Sequence, residues 1–127
     1  MERVFRILIV NASLGSRIML RKQLAKFNVA VNFAWDIDSA LELSQNGVYD
    51  FVLIDDGFET RTKCPGLIEY LFNNVLNQET LMVVLTYNNQ PKFLNKVHYY
   101  PNPTNAHAIF NLLEFLTKLN PGLSHDK

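Results

Sequence analysis

The sequence predicts an α/β domain built on a doubly wound, five-stranded parallel sheet. Three observations point there. Short, dense apolar runs recur along the 127 residues, at Phe5 to Val10, Phe51 to Ile54 and Leu81 to Leu85. Amphipathic stretches of helical period separate them. Polar residues stand where the runs stop: Asn11 after the first, Asp55 and Asp56 after the second, Thr86 after the third. Runs this short and this apolar read as strands covered on both faces. Strands alternating with helices imply right-handed crossovers, a parallel sheet with helices on both sides, and a ligand crevice at the strand C-termini.

Each element has its own signal. Phe5 to Val10, broken only by Arg6, is a central strand. Ser13 or Ser16 caps a helix to about Phe27, with Leu20, Leu24 and Phe27 inward and Arg17, Arg21 and Lys22 on the wet side. Val29, Val31, Phe33 and Trp35 alternate with smaller or polar residues, the period of a sheet-edge strand. Ser39 and Glu42 have capping-box spacing at the start of a second helix, with Ile37, Leu41 and Val48 on one face. After the strand ending at Asp55, a polar loop leads through Pro65 and Gly66 into a helix with Ile68, Leu71, Phe72 and Val75 inward. Tyr87 to Lys96 offers only Phe93 and Leu94 as an apolar face, so a shortened fourth helix is expected there. Val97 to Tyr100 is the fifth strand, and Thr104 or Asn105 caps a last helix that buries Ile109, Leu112, Leu113 and Leu116. The domain is expected over residues 1–120, and residues 121–127 read as a tail or the start of a linker.

Composition narrows the function. Twelve basic residues balance twelve acidic ones, so nothing steers the chain to nucleic acid or to an anionic membrane surface. No run of about 18 apolar residues appears, and the N-terminal apolar stretch is shorter than a signal sequence requires, so a cytoplasmic location is expected. Cys64, the only cysteine, excludes an internal disulfide and a cysteine-based metal cluster. His98, His107 and His125 lack metal-pair spacing, and there is no nucleophile elbow, P-loop or dinucleotide fingerprint. No catalytic residues are expected.

Arg6 to Val10 (RILIV), Tyr49 to Asp55 (YDFVLID), Val83 to Thr86 (VVLT) and Tyr99 to Pro103 (YYPNP) stand in the order and spacing of strands one, three, four and five of a known family. Over about residues 5 to 119 the chain resembles the receiver domain of two-component response regulators, of flavodoxin-like topology, in a degenerate, pseudo-receiver form. In that family two acidic residues after the first strand hold a divalent metal. An aspartate ending the third strand takes a phosphoryl group, and a hydroxyl residue and a lysine clamp it. The resemblance makes Asp55 the phosphoacceptor equivalent, Thr86 and Tyr99 the switch equivalents, and Gly66 the glycine opening the third helix. It also places Asn11 and Ala12 at the acidic-pair positions and Asn102 at the lysine position.

Those substitutions remove charge that phosphoryl transfer needs. A hard cation and an ammonium group offset the negative charge spread over the transferring oxygens. Losing one opposite charge at about 4 Å forfeits on the order of 4 kcal/mol at an effective dielectric near 20, about a thousandfold in rate. Asp55 and Asp56 are the weak metal candidates, but neighbouring residues at a strand end point in opposite directions. Arg61 or Lys63 in the following loop is a candidate replacement cation. The expected function is a non-catalytic signalling module, independent of phosphorylation, with no cofactor. It acts on a protein partner or as a homodimer through the face that the family builds from its fourth helix, fifth strand and fifth helix, where Tyr99 and Tyr100 fall. One alternative is a working receiver modified at Asp55 by a histidine kinase, with Mg2+ as cofactor. Another is a flavodoxin-like small-molecule binder using the crevice between Asn11, Asp55 and Thr86.

Overall fold

The computed structural model describes residues 5–45, 47–55, 80–86, 92–94 and 97–119. Six strands form one sheet in the order β2-β1-β3-β4-β6-β5. β1 (Phe5–Val10), β2 (Val29–Ala34), β3 (Phe51–Asp55), β4 (Leu81–Thr86) and β6 (Val97–Pro101) run parallel to their neighbours. These are the five strands expected from sequence. The sixth, β5 (Lys92–Leu94), pairs antiparallel with β6 at the sheet edge. It corrects the expectation of a shortened fourth helix: the described part of that segment satisfies its backbone on β6, since Phe93 and Leu94 are too few to hold a helix against the sheet.

The strands are buried because helices cover both faces. One core cluster joins Ile7, Ile9, Phe51, Leu53, Val83 and Leu85 to Leu20 and Leu24 of α1 (Leu14–Leu24) and to Ile109, Leu112, Leu113 and Leu116 of α3 (Ala106–Leu119). The other joins Leu8, Val10, Val52, Ile54, Met82 and Val84 to Ala40 of α2 (Ile37–Gln45). The period of two along each strand delivers alternate residues to the two clusters. β2 lies at an edge, where Val29, Val31 and Phe33 are partly buried between exposed Ala30 and Asn32 as expected; Ala34 is fully buried instead, and Trp35, expected to continue the inner face, lies past the strand end and is exposed.

The caps explain where the helices start and stop. Ser13 Oγ accepts from the Ser16 N–H, which makes Ser13 the cap of α1. That helix ends at Leu24, before Phe27, which packs against the core from beyond the helix end. In α2 the capping box is Asp36 with Ser39, three residues ahead of the expected Ser39 with Glu42. Asp36 Oδ1 accepts from the Ser39 N–H at 2.8 Å, and Ser39 Oγ accepts from the Asp36 N–H at 3.2 Å. The Ser39 bonds hold the Asp36 carboxyl below its ordinary pKa. Val48, expected on the inner face of this helix, lies beyond its end and is exposed. Asn105 caps α3, its Oδ1 accepting from the Ala108 N–H at 2.8 Å.

At the N-terminal end of the sheet, Asp50 ties two strands together. Its Oδ2 accepts from the Arg6 N–H at 2.9 Å and its own N–H donates to the Arg6 carbonyl at 2.7 Å. Thr80 Oγ donates to the Tyr49 carbonyl at 2.6 Å. Tyr49 Oη donates to Asn32 Oδ1, and burial raises its pKa while the Arg6 guanidinium, 5.7 Å from the ring, pulls it down.

Candidate functional site at the strand C-termini

The strand register assembles the site. Val10 is level with Ile54, so Asn11 stands level with Asp55, the last residue of β3. Asp55 is level with Leu85, and Thr86, the last residue of β4, is level with Pro101, which puts Asn102 next in line. Asn11, Asp55 and Thr86 are buried, at 3%, 2% and 7% exposure. Asn102 is half-buried. Four polar residues thus stand together at the C-terminal ends of four neighbouring strands.

Hydrogen bonds tie them to one another and to the start of α1. Asn102 Nδ2 donates to Asp55 Oδ1 at 3.3 Å, and the Asn102 N–H donates to the Thr86 carbonyl at 2.8 Å. Asn102, which the resemblance places at a lysine position, thus reaches the Asp55 carboxyl with a neutral amide. On the other side, Asn11 Oδ1 accepts from the Ser13 N–H at 2.8 Å, and the Asn11 carbonyl accepts from Arg17 Nη1 at 2.7 Å. Arg17 and Ser13 are site residues that the sequence did not disclose. Arg17 was expected on the wet side, yet it turns back over the first turn of α1 onto the strand exit. Arg21 and Lys22 are exposed, as expected, and the Arg21 guanidinium lies 4.7 Å from the Phe33 ring centroid.

These residues do not fit the divalent metal that the fold family implies. Ala12 has no donor atom and packs its methyl against the second core cluster. Both oxygens of Asn11 already accept hydrogen bonds, one of them from a guanidinium whose charge opposes a cation nearby. Asp55 is the one carboxylate that the site holds among the described residues, and no group of three or more acidic, histidine or cysteine side chains stands together among them. Asp56, Arg61, Lys63, Gly66 and the helix expected through Val75 lie outside the described residues.

Thr86 and Tyr99, which the resemblance makes switch equivalents, lie on neighbouring strands. Tyr99 packs partly buried against the second core cluster, and strand alternation puts Thr86 on the same face as Val84 and Tyr99. Tyr100 points to the other face and stacks on Phe115 at 4.3 Å between ring centroids, with His98 edge-on to the same ring at 6.1 Å. Burial lowers the His98 pKa.

No protein-family model and no curated protein sequence matches the chain. Solved structures do. A CheY-like response-regulator receiver domain from Methylobacillus flagellatus superposes with a TM-score of 0.66 at 16% identity, over 90% of this chain and 99% of that one. A response regulator from Thermotoga maritima gives 0.67 at 16% identity, over 91% and 99%. A response regulator from Burkholderia pseudomallei, solved with a phosphorylated aspartic acid and a calcium ion, gives 0.59 at 19%, over 94% of this chain and 75% of that one. The fold is that of a response-regulator receiver domain. Among the described residues, no helix is long and apolar enough to cross a membrane.

Proposed function

We propose that this chain is a signalling module of the receiver type that works without phosphorylation, without a metal cofactor and without catalysis, through contact with protein in the cytoplasm. One observation carries the reading: Asp55 is buried and bonded to the neutral amide of Asn102, while the exit of β1 offers a blocked asparagine and an alanine. Forming an acyl phosphate requires the Asp55 carboxylate to attack phosphorus while the leaving group departs, with negative charge growing on the equatorial oxygens. Receiver domains offset that charge with a cation and an ammonium. Among the described residues, the side chains that stand at the β1 exit and after β6 are the amides of Asn11 and Asn102, and an amide supplies a partial charge where a full one is needed.

Thr86 and Tyr99 share a face of the sheet, and the inner strands β1, β3 and β4 are buried on both sides, which supports a rigid scaffold. A module of this kind presents a fixed surface to its partner. Incubation with acetyl phosphate and magnesium, read on an acid-preserving phosphate-affinity gel and by intact mass, should leave the protein unmodified. A stoichiometric phospho-species lost on replacing Asp55 with Asn would overturn the reading in favour of a working receiver.

A further inference from the structure

Among the described residues five large apolar side chains are exposed, and three of them, Leu14, Ile18 and Trp35, belong to one corner of the molecule. Leu14 and Ile18 are one turn apart at the start of α1, and Trp35 lies between β2 and α2. No described strand pairs with the outer side of β2. The guanidinium of Arg21 over the Phe33 ring fixes which side of α1 faces this edge, and helical spacing brings Leu14, two turns earlier, to the same side.

The two helices flanking the edge are opposite in charge. α1 carries Arg17, Arg21 and Lys22 and no acidic residue, whereas α2 carries Asp38 and Glu42 and no basic one. They sit on opposite faces of the sheet, α1 over the first core cluster and α2 over the second. The β2 edge therefore has a basic wall on one face and an acidic wall on the other.

We propose that this corner is the contact between two copies of the chain, related by a two-fold axis that runs beside β2 and along it. Such an axis turns the second sheet over, so α1 of each copy meets α2 of the other. Both helices begin at the C-terminal end of the sheet, so their first turns meet at the same height, with Trp35 close to the axis. An axis perpendicular to the sheet would set α1 against α1 and α2 against α2, like charge against like. A second copy is the occupant because one chain holds both halves of the complement, and because a net charge of zero leaves no long-range repulsion between copies. The contact is isologous, covers an open strand edge and removes the apolar corner from water.

The inference names the partner of the binding module proposed above and rests on that reading for its biological role. The two fail separately, since phospho-transfer and self-association are independent readouts. Sedimentation velocity on the full chain across protein concentration should show a monomer–dimer equilibrium that weakens as salt rises. Emission from Trp35, the only tryptophan, should shift to the blue in step. Lys22→Glu and Glu42→Lys, which stand at similar heights on the facing helices, should each weaken association at least tenfold, and Ile18→Ser should do so without changing charge. An equimolar mixture of Lys22→Glu and Glu42→Lys should recover the dimer, because each altered helix then faces its complement on both sides. These positions are exposed, so circular dichroism should be unchanged. A chain that stays monomeric at every concentration would overturn the proposal, as would a mixture that associates no better than its components.

Discussion

The Asn102 amide makes a bond to Asp55 whose worth can be measured. Asn102 Nδ2 lies 3.3 Å from Asp55 Oδ1, at the long end for an N–H···O bond, and its acceptor is a buried carboxyl. Bonds to charged groups contribute about 1.5–3 kcal/mol, and the length argues for the lower figure, so Asn102→Ala should cost about 1.5 kcal/mol. With about 2.1 cal/mol/K of unfolding entropy per residue, that is a fall in Tm of about 6 °C for a chain of 127 residues. Asn102→Asp should be worse. A second carboxylate at the same 3.3 Å introduces repulsion of about 5 kcal/mol at an effective dielectric near 20, relieved as acid protonates one of the pair. Thermal and urea unfolding of Asn102→Ala, Asp55→Asn and the double variant close a double-mutant cycle. A coupling energy of about 1 kcal/mol or more supports the bond; additivity within a few tenths of a kcal/mol would refute it.

Other perturbations probe the frame around the site. Asp50→Ala removes the buried carboxylate that accepts from the Arg6 N–H and should cost about 1.5–3 kcal/mol in urea unfolding, with the fold retained by circular dichroism. Asn105→Ala removes the cap of α3 and should cost about 1 kcal/mol by the same assay. His98 has a folded pKa below its ordinary value of 6.5, so the unfolded chain takes up a proton first as pH falls. Stability should therefore decline from about pH 6.5 downward, and His98→Phe, which keeps an aromatic ring beside Phe115, should flatten that part of the profile.

The parallel sheet was legible because its strands are buried on both faces, and burial writes continuous apolar runs such as Phe51 to Ile54 into the sequence. The last helix was legible for a similar reason: Ile109, Leu112, Leu113 and Leu116 repeat at one spacing, and all four are buried. Less was visible where structure depends on partners distant in sequence. β5 is held by β6 rather than by any pattern of its own, so its three residues looked like the remains of a helix. The α2 cap was misplaced by one turn because Ser39 suits two roles, and only geometry shows that it bonds back to Asp36.

In the site, resemblance located Asn11, Asp55, Thr86 and Asn102 by position, and register explains why they meet. The fate of the individual atoms was hidden. The resemblance sets Asn102 at a lysine position; the sequence does not record that its amide reaches Asp55 across 47 positions of chain. Arg17 likewise looked like an ordinary solvated base, because its hydrogen bond to the Asn11 carbonyl depends on where α1 starts relative to the end of β1.

The whole reading depends on whether the ends of β1 and β3 can hold a divalent ion. Backbone amide shifts of Asn11, Asp55 and Thr86, followed by NMR during a magnesium titration into the millimolar range, measure this directly. We expect no saturable change in the natural chain, and saturable shifts at those same amides once Asn11 and Ala12 are both replaced by Asp. Saturation of the Asp55 amide by magnesium in the natural chain would contradict the account.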